Sequence, residues 1–419
     1  MHVCIFEDAN YHQLNPLVHF RAVYELRCGI SSLYEKILTL LPASKISFHT
    51  RNYLAPLLLH RYPAYEVNTI SSDKCLFING RWLADKTIAK EILKLAKSNF
   101  VLVSHNNVVA ACLSGKKLAS VKEKLGKELL SNADFEGIHQ EEIEAEFVEF
   151  PWNLIHWNSE QLQKDIERIK RKQAGTIHRT SVLIQRKDII IEKGATVAPY
   201  CVLDARDGSI YIGKNATLMP DTVVIGPAMI GESSLLKSGT QIYGGTSIGS
   251  MCKIGGEVEG TIFHGYSNKQ HAGFVGHSYI GPWVNLGAGT NTSDLKNNYS
   301  TVTVSFGDTK IDTGLQFLGL IIGDHSKSSI NTMFNTGSIV GVNCNVLGGA
   351  FPPKYIPSFA WQNLDGTFEE YDLKKSLDVA RTVMARRNAE LTSEEENIFR
   401  FIFEQTRKER VLFGVKGSK

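Results

Sequence analysis

Three of the chain's thirteen histidines, His264, His271 and His277, fall within residues 255–298, with the amides Asn268, Gln270, Asn285 and Asn291 and the cations Lys269 and Lys296. Imidazole is the usual side chain for taking up a proton near neutral pH, amides hold sugar hydroxyls, and ammonium groups meet phosphate. The segment therefore carries the parts for proton transfer on a polar, phosphorylated substrate. Three histidines also suit zinc, but spacings of seven and six residues form no metal motif, and neither a cysteine nor paired carboxylates complete a ligand set. His271 is the preferred base because it lies beside a break in the surrounding hydrophobic pattern and not inside it.

That pattern has a period of six. Between residues 212 and 254 an aliphatic side chain recurs as Ile212, Leu218, Val224, Ile230, Leu236, Ile242, Ile248 and Ile254. Neither a helix, with a period near 3.6, nor an alternating strand, with a period of 2, gives this spacing. The phase extends upstream through Ile191, Val197 and Leu203, and downstream as Phe274, Ile280 and Leu286, then Ile322, Ser328, Phe334, Val340 and Val346. Blocks such as "IGKNAT", "IGESSL" and "IGSMCK" pair the aliphatic residue with a glycine, expected to tolerate corner backbone that a Cβ would strain. A β-sandwich would instead show alternation and wider turn spacing. The period predicts a parallel β-helix of hexapeptide repeats over about residues 177–357, interrupted at residues 257–270 and 291–318. Loops leaving such a solenoid cost little stability and commonly carry function.

The first 150 or so residues read as α/β. Strand-like runs "VCIF", "KISF", "YEVNTI", "KCLFI", "NFVLVS" and "EAEFVEF" alternate with helical stretches at residues 30–41, 86–97 and 118–130. A mainly parallel sheet would place its ligand crevice at the carboxyl ends of the strands. Leu162, Ile166 and Ile169 have helical spacing and predict a connecting helix. The expected organisation is an α/β domain at 1–155, a linker helix at 156–175, the β-helix at 176–360 and a helical tail at 361–419. In the tail, Ser393 with Glu396 fits a capping box, and Phe399, Ile402 and Phe403 form an apolar face that could cap the coil or meet a neighbouring subunit.

Composition excludes several classes. With 43% hydrophobic and 21% charged residues and a net charge of +3, the chain has no electrostatic footprint for nucleic acid or a membrane surface. The basic run "RIKRKQ" at residues 168–173 reads as a solvated helix face. The start, "MHVCIFEDAN", reaches an acidic pair after four apolar residues and is no signal peptide, and no apolar stretch could span a bilayer, so a cytoplasmic location is expected. Seven widely spaced cysteines read as reduced, buried hydrophobes.

With "VNLGAGT" at residues 284–290, "GGEVE" at 255–259, "FRAVYELRCGI" at 20–30 and "FINGR" at 77–81, the chain resembles the bifunctional sugar nucleotidyltransferase and acetyltransferase family that makes UDP-N-acetylglucosamine, in a shorter bacterial variant. The resemblance implies an amino-terminal nucleotidyltransferase-like α/β domain, a left-handed β-helix and carboxyl-terminal helices. It implies His271 as catalytic base, fourteen residues before a substrate-binding Asn285, with Glu257, Asn268, Lys269, Phe274 and Lys296 as further substrate contacts. Ala288 and Gly348 would touch acetyl-CoA, and Arg21, Arg27, Gly29, Asn79 and Gly80 would touch nucleotide. Acetyl-CoA as co-substrate, Mg²⁺ for nucleotidyl transfer with its ligands unassigned, sugar phosphate and nucleoside triphosphate as substrates, and a homotrimer follow from the same resemblance. There are departures. The family's tyrosine is Phe274 here, its lysine is Glu259, and Asn79 and Asn153 stand where carboxylates would serve Mg²⁺ better. Two other readings stay open: a nucleotidyltransferase with the β-helix as a trimerisation and regulatory scaffold, and a non-catalytic nucleotide-sugar-binding assembly protein.

Overall fold

The computed structural model describes residues 1–169, 174–306 and 309–417. Most of the basic run at 168–173 lies outside the described residues. The chain divides into two compact units, one of residues 1–26 and 31–150, the other of residues 27–30 and those from 151 onward.

The first unit is built on a seven-stranded sheet: β1 (His2–Phe6), β2 (Lys45–His49), β3 (Glu66–Val67), β4 (Lys74–Asn79), β5 (Phe100–Ser104), β6 (Asn107–Ser114) and β7 (Gln140–Glu142). Their order is β3-β2-β1-β4-β6-β5-β7. Every residue of β1 is buried, as befits a central strand covered on both faces, and β1 pairs in parallel with both β2 and β4. Helices α1 (Leu33–Leu40), α2 (Ala55–Arg61), α3 (Lys86–Leu95) and α4 (Gly115–Lys124) complete the unit. The sheet is mixed where a mainly parallel one was expected, because β6 runs antiparallel to both β4 and β5. A two-residue turn, His105–Asn106, makes this possible: both residues have positive φ, as a type I′ hairpin requires. Conversely "EAEFVEF" contributes only an isolated bridge, Trp82 to Phe147.

From residue 151 the second unit starts with α5 (Pro151–Glu167), five residues before the start expected for the linker helix. A three-sided parallel β-helix of hexapeptide repeats follows. Its nine-stranded first face stacks Ile191, Ile212, Ile230, Ile248, Phe263, Ile280, Ile322, Val340 and Ile356 in register. The second face stacks Ile177, Val197, Leu218, Leu236, Ile254 and Lys269, and the third stacks Leu183, Leu203, Val224, Ile242, Val258 and Val275. One hexad forms one side, so the six-residue period reads out all three columns in turn. All but a few of these aliphatic side chains are fully buried in one continuous core.

The glycines of the repeat serve a purpose other than the one expected. Positive φ at the corners is carried by residues such as Asn215, Ser233 and Met251, whereas at Gly231 and Gly249 the next coil occupies the place of a side chain. A Cβ on Gly249 would lie 2.1 Å from the His264 carbonyl oxygen. Gly249→Ala is therefore expected to destabilise by about 1–3 kcal/mol through forced separation of coils, seen as a lower urea midpoint. An unchanged midpoint would contradict this packing.

Residues 257–270 form no ejected loop. Glu257–Glu259, Ile262–Phe263 and Asn268–Lys269 are strands of the three faces, and shortened corners alone break the period. In consequence Val275, and not Phe274, points inward. The second interruption is real: beyond Asn291–Thr292 a hairpin of Thr303–Phe306 and Thr309–Asp312 leaves the coil before Leu320–Ile322 rejoins it.

The tail closes the core. Ala360–Gln362 pairs with Phe368–Glu370, and Phe368 and Val415 pack on the coil interior. Then come α6 (Leu373–Ala385), α7 (Ser393–Gln405) and α8 (Arg407–Leu412). The capping box of α7 lies one residue earlier than expected, on Thr392 and Glu395. Phe399 and Phe403 meet corner residues His325 and Phe359 at ring separations of 5.0 and 5.1 Å. All seven cysteines are buried thiols, and burial pushes Cys252 and Cys344 up to about 12. Among the described residues no helix is long and apolar enough to cross a membrane.

Candidate functional site

The three histidines that cluster in sequence separate in space. His264 binds the Tyr279 hydroxyl through Nδ1 at 3.0 Å. His277 lies at the far end of the third face, where its Nδ1 meets Asp294 Oδ2 at 2.8 Å beside a 430 Å³ cavity under Phe317. His271 sits at the corner between the second and third faces, exposed, with no side-chain partner among the described residues. Beside it a 320 Å³ cleft is lined by Gln241, Glu257, Phe274, Asn291 and glycines of the stacked corners. The Glu257 side chain is likewise unpaired among the described residues. An imidazole open to solvent next to a groove can exchange a proton with whatever the groove holds.

Lys269 is not on that surface. It occupies an inward position of the second face, 1% exposed, and its Nζ donates to the carbonyl oxygens of Gly255 at 2.7 Å and His271 at 3.0 Å. Its role is to fix the corner backbone that carries His271, and Gly256 leaves room for it, since a Cβ there would lie 2.8 Å from the ammonium nitrogen. Burial lowers Lys269 from 10.5 to about 8, against an opposing pull from Glu257. Between those two values the unfolded chain holds the extra proton, so stability rises with pH from about 8 to 10.5, and below about 8 the cost of burying the charge is fully present. Lys269→Met should flatten that rise, as read from urea midpoints at pH 7 and pH 10; an identical pH response in the variant would rule the argument out.

The remaining predicted contacts are distributed as follows. Phe274 flanks the cleft, its ring leaning across Gly276, and its backbone N–H donates to Asn291 Oδ1 at 2.8 Å. Asn268 and Asn285 stand on the outer ladder of the second face, in the register Lys253, Asn268, Asn285, Lys327, Asn345. The Asn285 side chain is unpaired among the described residues, whereas Asn268 Oδ1 accepts from Arg387 Nη2 at 2.8 Å. Arg387, just beyond α6, is a site residue that sequence reasoning missed. Lys296 is engaged in the excursion, donating to the Thr301 carbonyl oxygen at 2.5 Å. Ala288 belongs to a corner whose carbonyl oxygen accepts from the Asn331 N–H at 2.7 Å, and Gly348 stands open with φ +116°.

Two of the nucleotide candidates belong to the second unit. The Arg27 N–H donates to the Tyr279 hydroxyl at 3.0 Å, and its guanidinium donates to the Ile30 carbonyl oxygen. The Gly29 N–H donates to Asn158 Oδ1 at 2.6 Å and its carbonyl oxygen accepts from the Ser247 hydroxyl at 3.0 Å. With φ +79° and the Asp165 carboxylate 2.6 Å from where a Cβ would be, that position requires glycine. Both backbone groups of Gly29 are thus engaged in packing. Asn153 lies on α5, also in the second unit.

Asn79 ends β4 and Gly80 follows it, both buried, beside the end of β1, where the strand order reverses; in open α/β sheets ligands bind at such a point. The same place gathers Glu7, Asp8, Arg51 and Arg81, none of them among the residues singled out from sequence. Arg51 donates to Glu7 from Nε at 3.2 Å and Nη2 at 3.0 Å, and Arg81 donates to Asp8 from Nε at 2.9 Å and Nη2 at 2.6 Å. Asn79 Nδ2 also donates to Asp8, at 2.8 Å. Arg21 is buried nearby, its carbonyl oxygen accepting from Arg51 Nη2 at 2.7 Å. Burial, then Arg51 and Arg21, push His19 down to about 3 and keep it neutral. The acidic pair "ED" after β1 was the one available sequence signal. Each carboxylate is already neutralised by a guanidinium, so this donor set does not fit a resident Mg²⁺ ion, and no group of three metal-ligating side chains occurs among the described residues.

Comparison with known proteins bears on the two units unequally. Residues 3–174 match the model of the family described as sugar nucleotidyl transferase. A "Bifunctional protein GlmU" of Methanococcus maripaludis is 27% identical over 227 residues, covering 52% of this chain and 48% of that protein. A "Bifunctional sugar-1-phosphate nucleotidylyltransferase/acetyltransferase" of Sulfurisphaera tokodaii is 31% identical over 237 residues, covering 48% of this chain and 59% of that one. The chain spans about half the length of the curated relatives it matches. Among solved structures, the UDP-N-acetylglucosamine acyltransferase of Francisella novicida aligns over 58% of this chain and 94% of its own at 11% identity, with a TM-score of 0.26. A score that low supports no statement about fold or chemistry.

Proposed function

We propose that the chain is a transferase of nucleotide-sugar formation, joining a sugar-1-phosphate nucleotidyltransferase to an N-acetyltransferase that acts on an amino-sugar phosphate. The observation that carries the acetyl-transfer half is His271, an unengaged imidazole on a backbone corner fixed by Lys269, next to a groove and one face away from the unpaired Asn285. Its chemistry is acyl transfer from a thioester. As the acceptor nitrogen attacks the acetyl carbonyl, the imidazole takes the proton from that nitrogen, the C–S bond breaks, and the thiolate leaves to be protonated. A backbone N–H at the groove would stabilise the oxyanion, and Asn285 would hold the sugar.

The nucleotidyl half rests on the family match over residues 3–174 and on the position of Arg21, Asn79 and Gly80 near the ends of β1 and β4, where the strand order reverses. Mg²⁺ would enter with the triphosphate. Arg27 and Gly29 are left out of this contact set because they belong to the second unit, where both backbone groups of Gly29 are engaged. A cytoplasmic homotrimer, with pantetheine in the groove between adjacent β-helices, completes the proposal. Phe274 and Glu259, which lack the hydroxyl and the cation of the resembled family, favour the second reading of the β-helix as a trimerisation scaffold. Separate thermal-shift titrations test the pair of sites: acetyl-CoA and UTP should each raise the unfolding midpoint, and together should raise it further. Response to UTP alone would support the scaffold, and response to neither would leave the non-catalytic assembly reading.

A further inference from the structure

Four cations gather around the second-face ladder, three residues before His271 in the coil. Lys253 stands in register beside Asn268, and Arg387 reaches Asn268 Oδ1 at 2.8 Å. Arg386 precedes it, and Lys237 directly follows the strand Leu235–Leu236 one coil back. None of the four has a carboxylate partner among the described residues. Arg387 Nε is buried without a partner, and the Asn285 amide one rung further on is unpaired among the described residues. Glu257, across the corner, acts on the inward Lys269. The carboxyl end of α6 offsets part of the charge of Arg386 and Arg387, but Lys253 and Lys237 come from strands and receive no such help. Repulsion from Arg387, then burial, then Arg386 and Lys237 hold Lys253 below its ordinary value. Like charges held together without counter-charge form a site of strong positive potential, whose natural occupant is a doubly charged oxyanion.

We propose that Arg387 and Lys253, supported by Arg386 and Lys237, bind the phosphate of a phosphate ester, with Asn285 holding a hydroxyl of the same molecule. Arg387 supplies the guanidinium N–H groups that Asn268 leaves free, in a planar array suited to phosphate oxygens, while Lys253 acts as a point charge. The ester is carried by the sugar acceptor or by the coenzyme thioester; assigning it to either rests on the acetyl-transfer reading, whereas the anion site itself does not. On this account the helical tail, far away in sequence, contributes a specificity residue to the coil.

Calorimetric titration of the full chain with inorganic phosphate tests the site directly. Arg387→Gln and Lys253→Met should each weaken phosphate binding at least tenfold, with circular dichroism unchanged and the thermal midpoint not lowered. Equal binding by both variants and the unaltered chain, or no phosphate binding by the unaltered chain at millimolar concentration, overturns the proposal. Thiol-release kinetics then assign the source. A tenfold rise in KM for glucosamine-1-phosphate, with KM for acetyl-CoA unchanged, gives the phosphate to the acceptor, and the opposite pattern gives it to the coenzyme. Variant-sensitive phosphate binding without any thiol release would uphold the anion site while removing the acetyl-transfer reading.

Discussion

His271→Ala is expected to lower thiol release from acetyl-CoA in the presence of glucosamine-1-phosphate by about 10²–10⁴-fold, the usual loss when a positioned base is removed. Pyrophosphate release by the same variant should be unchanged, because residue 271 lies in the second unit and the ends of β1 and β4 belong wholly to the first. The fall should appear in kcat with little change in the KM for acetyl-CoA, since an exposed imidazole with no partner contributes little to ground-state binding. His277→Ala is the informative companion. His277 is already held by Asp294 at the other end of the third face, and its loss should spare thiol release. A loss at residue 277 with full activity at residue 271 would move the base to the His277–Asp294 pair.

Arg51→Ala should destabilise the first unit by about 3–5 kcal/mol, the range for breaking a buried ion pair from one side. Glu7 is fully buried, and Arg51, 6% exposed, pairs with it at 3.0 Å. The same guanidinium donates to the Arg21 carbonyl oxygen at 2.7 Å and to the Tyr53 hydroxyl at 2.8 Å, so its removal leaves several acceptors short at once. Replacing both partners, Arg51→Met with Glu7→Gln, should recover part of the loss by removing the stranded charge. Urea denaturation followed by amide hydrogen exchange in β1 and β2 would report it. A loss below 1 kcal/mol, or no recovery in the double variant, would mean that Glu7 is solvated in a way the buried network does not allow.

The β-helix was legible from sequence because each side of a coil is one hexad, so a single arithmetic period marks every inward side chain. It stopped being legible where corners shorten. From Ile254 the next inward residues are Val258, Phe263 and Lys269, at intervals of four, five and six, and a slip of one residue turns a strand's side chains to the opposite face. This is why Phe274 read as core and Lys269 as a surface phosphate ligand. The mixed character of the first sheet turned on a two-residue turn, His105–Asn106, without the glycine that usually announces it. The crevice residues eluded sequence reasoning for another reason: Arg51 and Arg81 find Glu7 and Asp8 across 44 and 73 residues, and Arg387 finds Asn268 across 119. No local pattern encodes such pairings. His271 and Asn285, by contrast, were picked out through a fixed spacing of fourteen residues, and both have unengaged side chains on the coil surface.

The central claim is that one chain carries two separate transfer reactions. Its most direct test is a pair of turnover assays on the purified protein: thiol release from acetyl-CoA with glucosamine-1-phosphate, and pyrophosphate release from UTP and Mg²⁺ with N-acetylglucosamine-1-phosphate. Release of both thiol and pyrophosphate, each dependent on its sugar phosphate, is the predicted result. Pyrophosphate release without any thiol release would contradict it and leave the β-helix as a scaffold.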